Sequence, residues 1–151
     1  MLLEAAIRAA LLAILVFVLI DDLKNYRIRN DVVVALFVLF LLWAALRANL
    51  ALLASHTAFA LVLFAILALM YGRGLMGGGD VKLLGVSFLW LGPEGALPFA
   101  LLMCGFTLLY WAGARLKLLP SHRVGSRTRV PFGPCIALAW IAAEGLRLAQ
   151  P

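Results

Sequence analysis

The stretch from Leu75 to Leu84 reads LMGGGDVKLL. Three consecutive glycines, Gly77, Gly78 and Gly79, run into Asp80; Lys82 follows two residues later, and an apolar segment resumes. An ionised carboxylate beside a membrane-length apolar run is costly, which marks Asp80 as a functional residue. Glycines tolerate φ > 0 and let another backbone approach closely, so a carboxylate presented by this turn is open to a peptide. Asp80 then needs a partner elsewhere in the chain, and Asp22 is the leading candidate.

Outward from this stretch the chain is apolar. Of its 151 residues, 66% are hydrophobic and 13% charged, with a mean hydropathy of +1.08. A soluble domain is nearer half apolar and a quarter charged, so most of this surface must face lipid. Residues 1–151 read as a single membrane-embedded domain whose surroundings are the lipid bilayer. The net charge of +6 sits in short loops between apolar runs. Membrane topology explains that pattern better than a nucleic-acid partner does. Cys104 and Cys135 lie in apolar segments and read as small buried hydrophobes. With no C-x-x-C, neither a zinc site nor a redox motif is supported, and no metal or cofactor is expected.

Six apolar runs follow one another: Ala5 to Ile20, Val32 to Leu46, Thr57 to Met70, Val81 to Leu91, Ala96 to Ala114, and a last one opened by Pro131 and Pro134 and ending near Leu148. The first carries Arg8 near its start and is followed by Asp21 and Asp22 rather than a cleavage site, so it reads as a mature helix. Between the runs lie the polar turn Asp21 to Asp31, a break with Asn49, Ser55 and His56, the glycine stretch, a tight turn Gly92-Pro93-Glu94-Gly95, and a basic loop. That loop holds Arg115, Lys117, His122, Arg123, Arg127 and Arg129, with Pro120, Ser121, Gly125 and Ser126 as breakers. The runs lack the period-two alternation of a barrel. The expected fold is an all-α integral membrane protein, a bundle of six transmembrane helices.

Charge sets the orientation. Ten of the thirteen Lys and Arg fall in the loops after the first, third and fifth runs; Arg8, Arg47 and Arg147 remain for the other side. By the positive-inside rule those loops face the cytoplasm and both ends face out. Asp22 and Asp80 then share the cytoplasmic edge of the cell (inner) membrane. Two carboxylates in one site hold a single proton between them. The ionised member can take a proton from water while the protonated one donates to a substrate carbonyl, which is peptide hydrolysis without a metal or a nucleophilic Ser or Cys.

Three segments resemble one known family. Asp22-Leu23-Lys24-Asn25-Tyr26-Arg27-Ile28-Arg29-Asn30 resembles the D-x-x-x-x-x-I-P-N segment of type IV prepilin peptidases, Gly77-Gly78-Gly79-Asp80-Val81-Lys82 looks like their G-x-G-D-x-K motif, and Val130-Pro131-Phe132-Gly133-Pro134 is similar to their I-P-[FY]-G-P stretch. The resemblance covers nearly the whole chain, with the motifs in the family's order. It implies an aspartic endopeptidase that cleaves the short basic leader of type IV pilin-like precursors at the cytoplasmic membrane face, just before the pilin's hydrophobic helix. The family's two catalytic aspartates fall on Asp22 and Asp80. Arg29 stands where the family has proline. Larger members also carry a cytoplasmic domain with paired C-x-x-C motifs and N-methylate the product. Nothing here matches that domain, so the chain looks like the minimal, peptidase-only form of tight-adherence pilus systems and archaeal preflagellin peptidases, with no methyltransferase activity expected.

Around the two aspartates, Gly77, Gly78, Gly79, Lys82, Lys24 and Asn30 are candidates for substrate binding or support. Lys82 either holds the pair's charge, binds an acid of the substrate or snorkels; Asn30 is a candidate cap of the second helix. Asp21, next to Asp22, points elsewhere and reads as solvated or hydrogen-bonded. The basic loop reads as a topology signal and anionic-lipid contact. The competing class is a non-enzymatic small transporter or pilus-assembly scaffold. A transporter favours mid-membrane charges and repeated halves, neither of which the sequence has.

Overall fold

The computed structural model describes residues 2–116, 122–124, 127–129 and 132–149, the segments 122–124 and 127–129 and residues 148 and 149 by backbone alone. The first helix, α1 (Leu2–Asn25), buries Ile7, Leu11, Leu15, Val18 and Asp22. Steps of three and four residues trace one face of a helix. Four members of that stripe are aliphatic, and the fifth is a carboxylate carried inward by the same periodicity. The second, α2 (Asn30–Arg47), turns Val32, Leu36, Phe40, Trp43 and Ala44 inward in the same way.

The third helix, α3 (Leu50–Gly72), buries His56 and Ala60 and leaves most of its apolar surface outside. The fourth, α4 (Gly78–Arg115), is buried almost all round through its first half, from Val81 to Gly92. After it come two three-residue strands, β1 (His122–Val124) and β2 (Arg127–Arg129), paired antiparallel with His122 opposite Arg129. The fifth helix, α5 (Phe132–Ala149), buries Cys135, Ile136, Ala137, Ala139, Trp140 and Ala143. α4 packs on α3 and α5, α5 packs on α1, and α2 closes the arrangement by touching α1 and α4. α1, α2, α3 and α4 are each long and apolar enough to cross a membrane. Val38, Leu42, Leu61, Leu69, Leu101 and Leu109 remain on the outside of the bundle. Lipid is the solvent that suits such a surface. The protein is a multi-pass helical membrane protein.

The described residues form five helices, where six runs were expected. The fourth and fifth runs are joined into the 38-residue α4, and the tight turn expected at Gly92 to Gly95 shrinks to one non-helical residue, Gly92, with φ 64° and ψ −174°. Only glycine enters that region readily. Pro93 then stands first in the resumed helix, where its missing N–H costs nothing. The break after α2 is likewise shorter than expected. Ala48 turns left-handed (φ 48°), and Asn49 caps α3, its side chain accepting from Leu52 N at 3.0 Å. Ser55 and His56 therefore lie inside α3. Asn30 does not cap α2: the capping position is Arg29, without a side-chain bond, and Asp31 Oδ1 accepts from Val32 N instead. Cys104 is exposed, against expectation, while Cys135 is buried. Pro134 lies in the first turn of α5. Lys117, Pro120, Ser121, Gly125, Ser126, Val130 and Pro131 fall outside the described residues.

The end of the bundle near Gly92 is closed by rings. Phe40, Trp43 and Trp90 contact one another with centroids 5.7 to 5.8 Å apart, and His56 stacks on Phe40. Trp90 Nε1 donates to Leu36 O at 3.0 Å, and His56 Nδ1 donates to Leu89 O at 2.9 Å. Glu4 and Arg47 pair at 2.9 Å and tie the start of α1 to the end of α2. The opposite end holds both candidate aspartates.

Candidate active site

Asp22 sits one turn before the end of α1. It is 5% exposed, and its Oδ2 accepts a hydrogen bond from the backbone N–H of Gly133 in the first turn of α5 at 3.1 Å. A buried carboxylate needs such a partner. The fit leaves no room for a side chain: a Cβ on Gly133 would come within 2.5 Å of Asp22 Oδ2.

Asp80 occupies the third position of α4, behind the capping residue Gly77, whose backbone amide interacts with the carboxylate. That is the acidic half of a capping box. The helix N-terminus also favours a negative charge there. The three glycines do not take positive φ; among the glycines with that conformation are Gly74 and Gly92 instead. Proximity explains them. A Cβ on Gly77 would stand 2.8 Å from Asp80 Oδ2, one on Gly79 3.1 Å from Ile28 Cβ, and one on Gly78 3.1 Å from the Tyr71 ring. Of the two readings of these glycines, positive φ is not found, and close approach is, by side chains rather than by another backbone.

Asp22 and Asp80 line the same cavity, of about 230 Å³, together with Tyr26, Arg27, Ile28, Gly77 and Gly79. They are near enough that the charge of Asp22 acts on Asp80. α1 ends at Tyr26, held at φ 50° with its N–H on Asp22 O at 2.9 Å, so the chain doubles back and lays Arg27 and Ile28 over the cavity. On the far side of Arg27 and Ile28 lies a second, polar cavity of about 600 Å³ that includes Asp21 and the Arg29–Asp31 ion pair.

The other expected site residues are not gathered there. Lys82 Nζ donates to Asn30 Oδ1 at 2.9 Å, a link from α4 to the start of α2 outside the lining. Lys24 is exposed and also outside it, and Gly78 faces Tyr71. Asp21 accepts from Asn25 Nδ2 at 2.6 Å. Sequence reasoning missed Gly133, Tyr26, Arg27 and Ile28. All four lay within quoted segments, but a backbone amide and a wall of the cavity leave no chemical signature in side-chain type. Among the described residues no three His, Cys, Asp or Glu side chains group as metal ligands.

This geometry can be set beside known proteins. The model of the type IV leader peptidase family matches residues 9–112, a span that holds both aspartates. The chain belongs to that family. Over 75 residues it is 41% identical to the prepilin leader peptidase/N-methyltransferase of Aeromonas hydrophila. That match takes in 49% of this chain and 24% of the relative, so the chain corresponds to about a quarter of that protein's length. No solved structure matches. The family match ends before α5, so the place of Gly133 in the site rests on geometry alone.

Proposed function

We propose that this leader peptidase family member is a membrane aspartic endopeptidase that removes the leader from type IV prepilin-like precursors, with Asp22 and Asp80 as its catalytic pair. The observation that carries the reading is that these two carboxylates, 58 positions apart in sequence, line one small cavity at one end of the bundle. The pair shares one proton. Its ionised member takes a proton from water as the water attacks the scissile carbonyl. Its protonated member donates to the carbonyl oxygen. The tetrahedral intermediate collapses as a proton passes to the departing amine. The Gly133 amide fixes Asp22, and the first turn of α4 fixes Asp80, so neither has to be oriented by the substrate.

The same reading has six crossings, α4 supplying two across Gly92, and puts the aspartates at the cytoplasmic face of the inner membrane, where a basic leader is presented. The product is released without methylation. The test is a cleavage time course with purified chain, a tagged precursor and S-adenosylmethionine. Cleavage should be lost in Asp22→Asn and in Asp80→Asn, with no methyl group added by the unsubstituted chain. Full activity of either variant defeats the pair.

A further inference from the structure

The lipid-facing side of the bundle carries an apolar groove. One stretch, of about 540 Å³, lies along the second half of α4 from Leu97 to Leu109 and reaches Leu146 of α5. Another, of about 370 Å³, runs between Leu19 and Leu23 of α1, Phe106 to Tyr110 of α4, and the first turns of α5. Phe106 and Leu109 line both, so the two stretches adjoin end to end along α4. α5 forms its floor, α1 and the second half of α4 its walls.

Three observations tie this groove to the aspartate cavity. Leu23, in the wall, follows Asp22 in the chain. Cys135, in the floor, lies two residues after Gly133, whose amide holds Asp22. Tyr110, at the same end of the groove, lies near Asp22 and Tyr26, and Tyr26 lines the aspartate cavity. One end of the groove therefore lies beside the turns of α1 and α5 that carry Asp22 and Gly133, while its other end, at Leu97, lies near the Gly92 break.

Its dimensions suit a helix. From Leu97 to Tyr110, α4 rises about 20 Å, two thirds of a bilayer's apolar core. Halfway along stands Gly105, in front of which an added Cβ would meet nothing within 4 Å. Membrane helices pack closest where one offers such a small residue to the other.

We propose that this groove seats the apolar helix of the precursor, with the start of that helix at the Tyr110 end, so that the peptide bond preceding it enters the cavity of Asp22 and Asp80. The proposal rests on the peptidase reading above and adds where the uncleaved helix is held. Adjacency to the aspartate cavity selects this occupant: an acyl chain or a second copy of the protein gains nothing from ending there.

The experiment places the photo-crosslinking residue p-benzoylphenylalanine at Leu109, in the groove, and at Leu61, exposed on α3 and away from it. Each is made in the full chain carrying Asp80→Asn and irradiated in membranes with a tagged precursor, a short basic leader joined to an apolar helix of about 20 residues. The position-109 probe should yield an adduct with the mass of chain plus precursor; the position-61 probe should not. In the active chain, Leu109→Trp should raise KM at least about fivefold with kcat little changed, and Leu61→Trp should change neither. Adducts at position 109 with lipid alone or with a second copy, or equal precursor adducts at both positions, overturn the groove while an unsubstituted chain that still cleaves keeps the peptidase reading intact. Failure of the unsubstituted chain to cleave overturns both.

Discussion

Gly133→Ala is the sharpest probe of the site because it touches neither aspartate's chemistry. The new methyl would stand 2.5 Å from Asp22 Oδ2, 2.8 Å from its Cγ and 3.1 Å from its Cβ. Contacts that short force a shift, and Asp22 cannot swing freely inside the bundle at 5% exposure. α5 and α1 must move apart, or the carboxylate must leave its rotamer and its bond to the Gly133 amide. A hydrogen bond to a charged group contributes about 1.5–3 kcal/mol. Misplacement of a catalytic group by about 1 Å costs on the order of a hundredfold in rate. The expected result is a fall of about 100-fold in kcat, larger than any change in KM. The assay is precursor cleavage under single-turnover conditions, with thermal melting of the purified variant to show that it is folded. A folded Gly133→Ala chain with more than half the normal rate would refute the claim that α5 positions Asp22.

Three further outcomes are expected. Asp22→Asn combined with Asp80→Asn should be little worse than either alone, because parts of one machine are not additive, whereas Asp21→Asn, which loses a surface charge worth about 1 kcal/mol or less and keeps an oxygen to accept from Asn25, should keep most of its activity; a dead Asp21→Asn beside an active Asp22→Asn would reverse the assignment. Gly92→Ala puts a Cβ 2.4 Å from His56 Nε2 in a backbone region that costs other residues about 1–3 kcal/mol, so the melting temperature should drop by roughly 3 to 10 °C. Gly145→Ala, with open space around it, is the control, and equal melting of the two would show that Gly92 is not under constraint. In a chain carrying Cys104→Ala and Cys135→Ala, Glu94→Cys and Ser126→Cys should react with an impermeant thiol reagent from opposite sides; reaction of Ser126→Cys from outside intact cells would invert the topology.

The parts of this architecture that were legible in the sequence are those written in side-chain polarity. The apolar runs appear where helices form, and Asp22 and Asp80 stood out as acids bordering them, but which face of α1 turns inward was not legible, because apolar residues surround most of that helix. The joints were not legible. Gly92-Pro93-Glu94-Gly95 has the composition of a turn, and nothing in it distinguishes a four-residue turn from a single glycine that breaks a helix and lets it resume. His56 read as part of a polar break because a histidine whose ring stacks on Phe40 and bonds a carbonyl 33 residues away looks, in sequence, like one in a loop. For the glycines before Asp80 the sequence suggested both positive φ and close approach; only the approach is found, and which atom each abuts is a tertiary fact. Gly133 acts through its amide, which every residue but proline possesses.

The bond from Gly133 to Asp22 spans 111 residues. α1 also packs more extensively on α5 than on its neighbour α2. During synthesis, at about 5–20 residues per second, roughly 5 to 20 s separate the emergence of the carboxylate from that of the amide that holds it. For about the second half of that interval both aspartates have been made, yet the amide that holds Asp22 has not. The helix made last among those described is the one that completes the cavity, so a half-inserted chain holds both carboxylates before it holds the amide that fixes one of them.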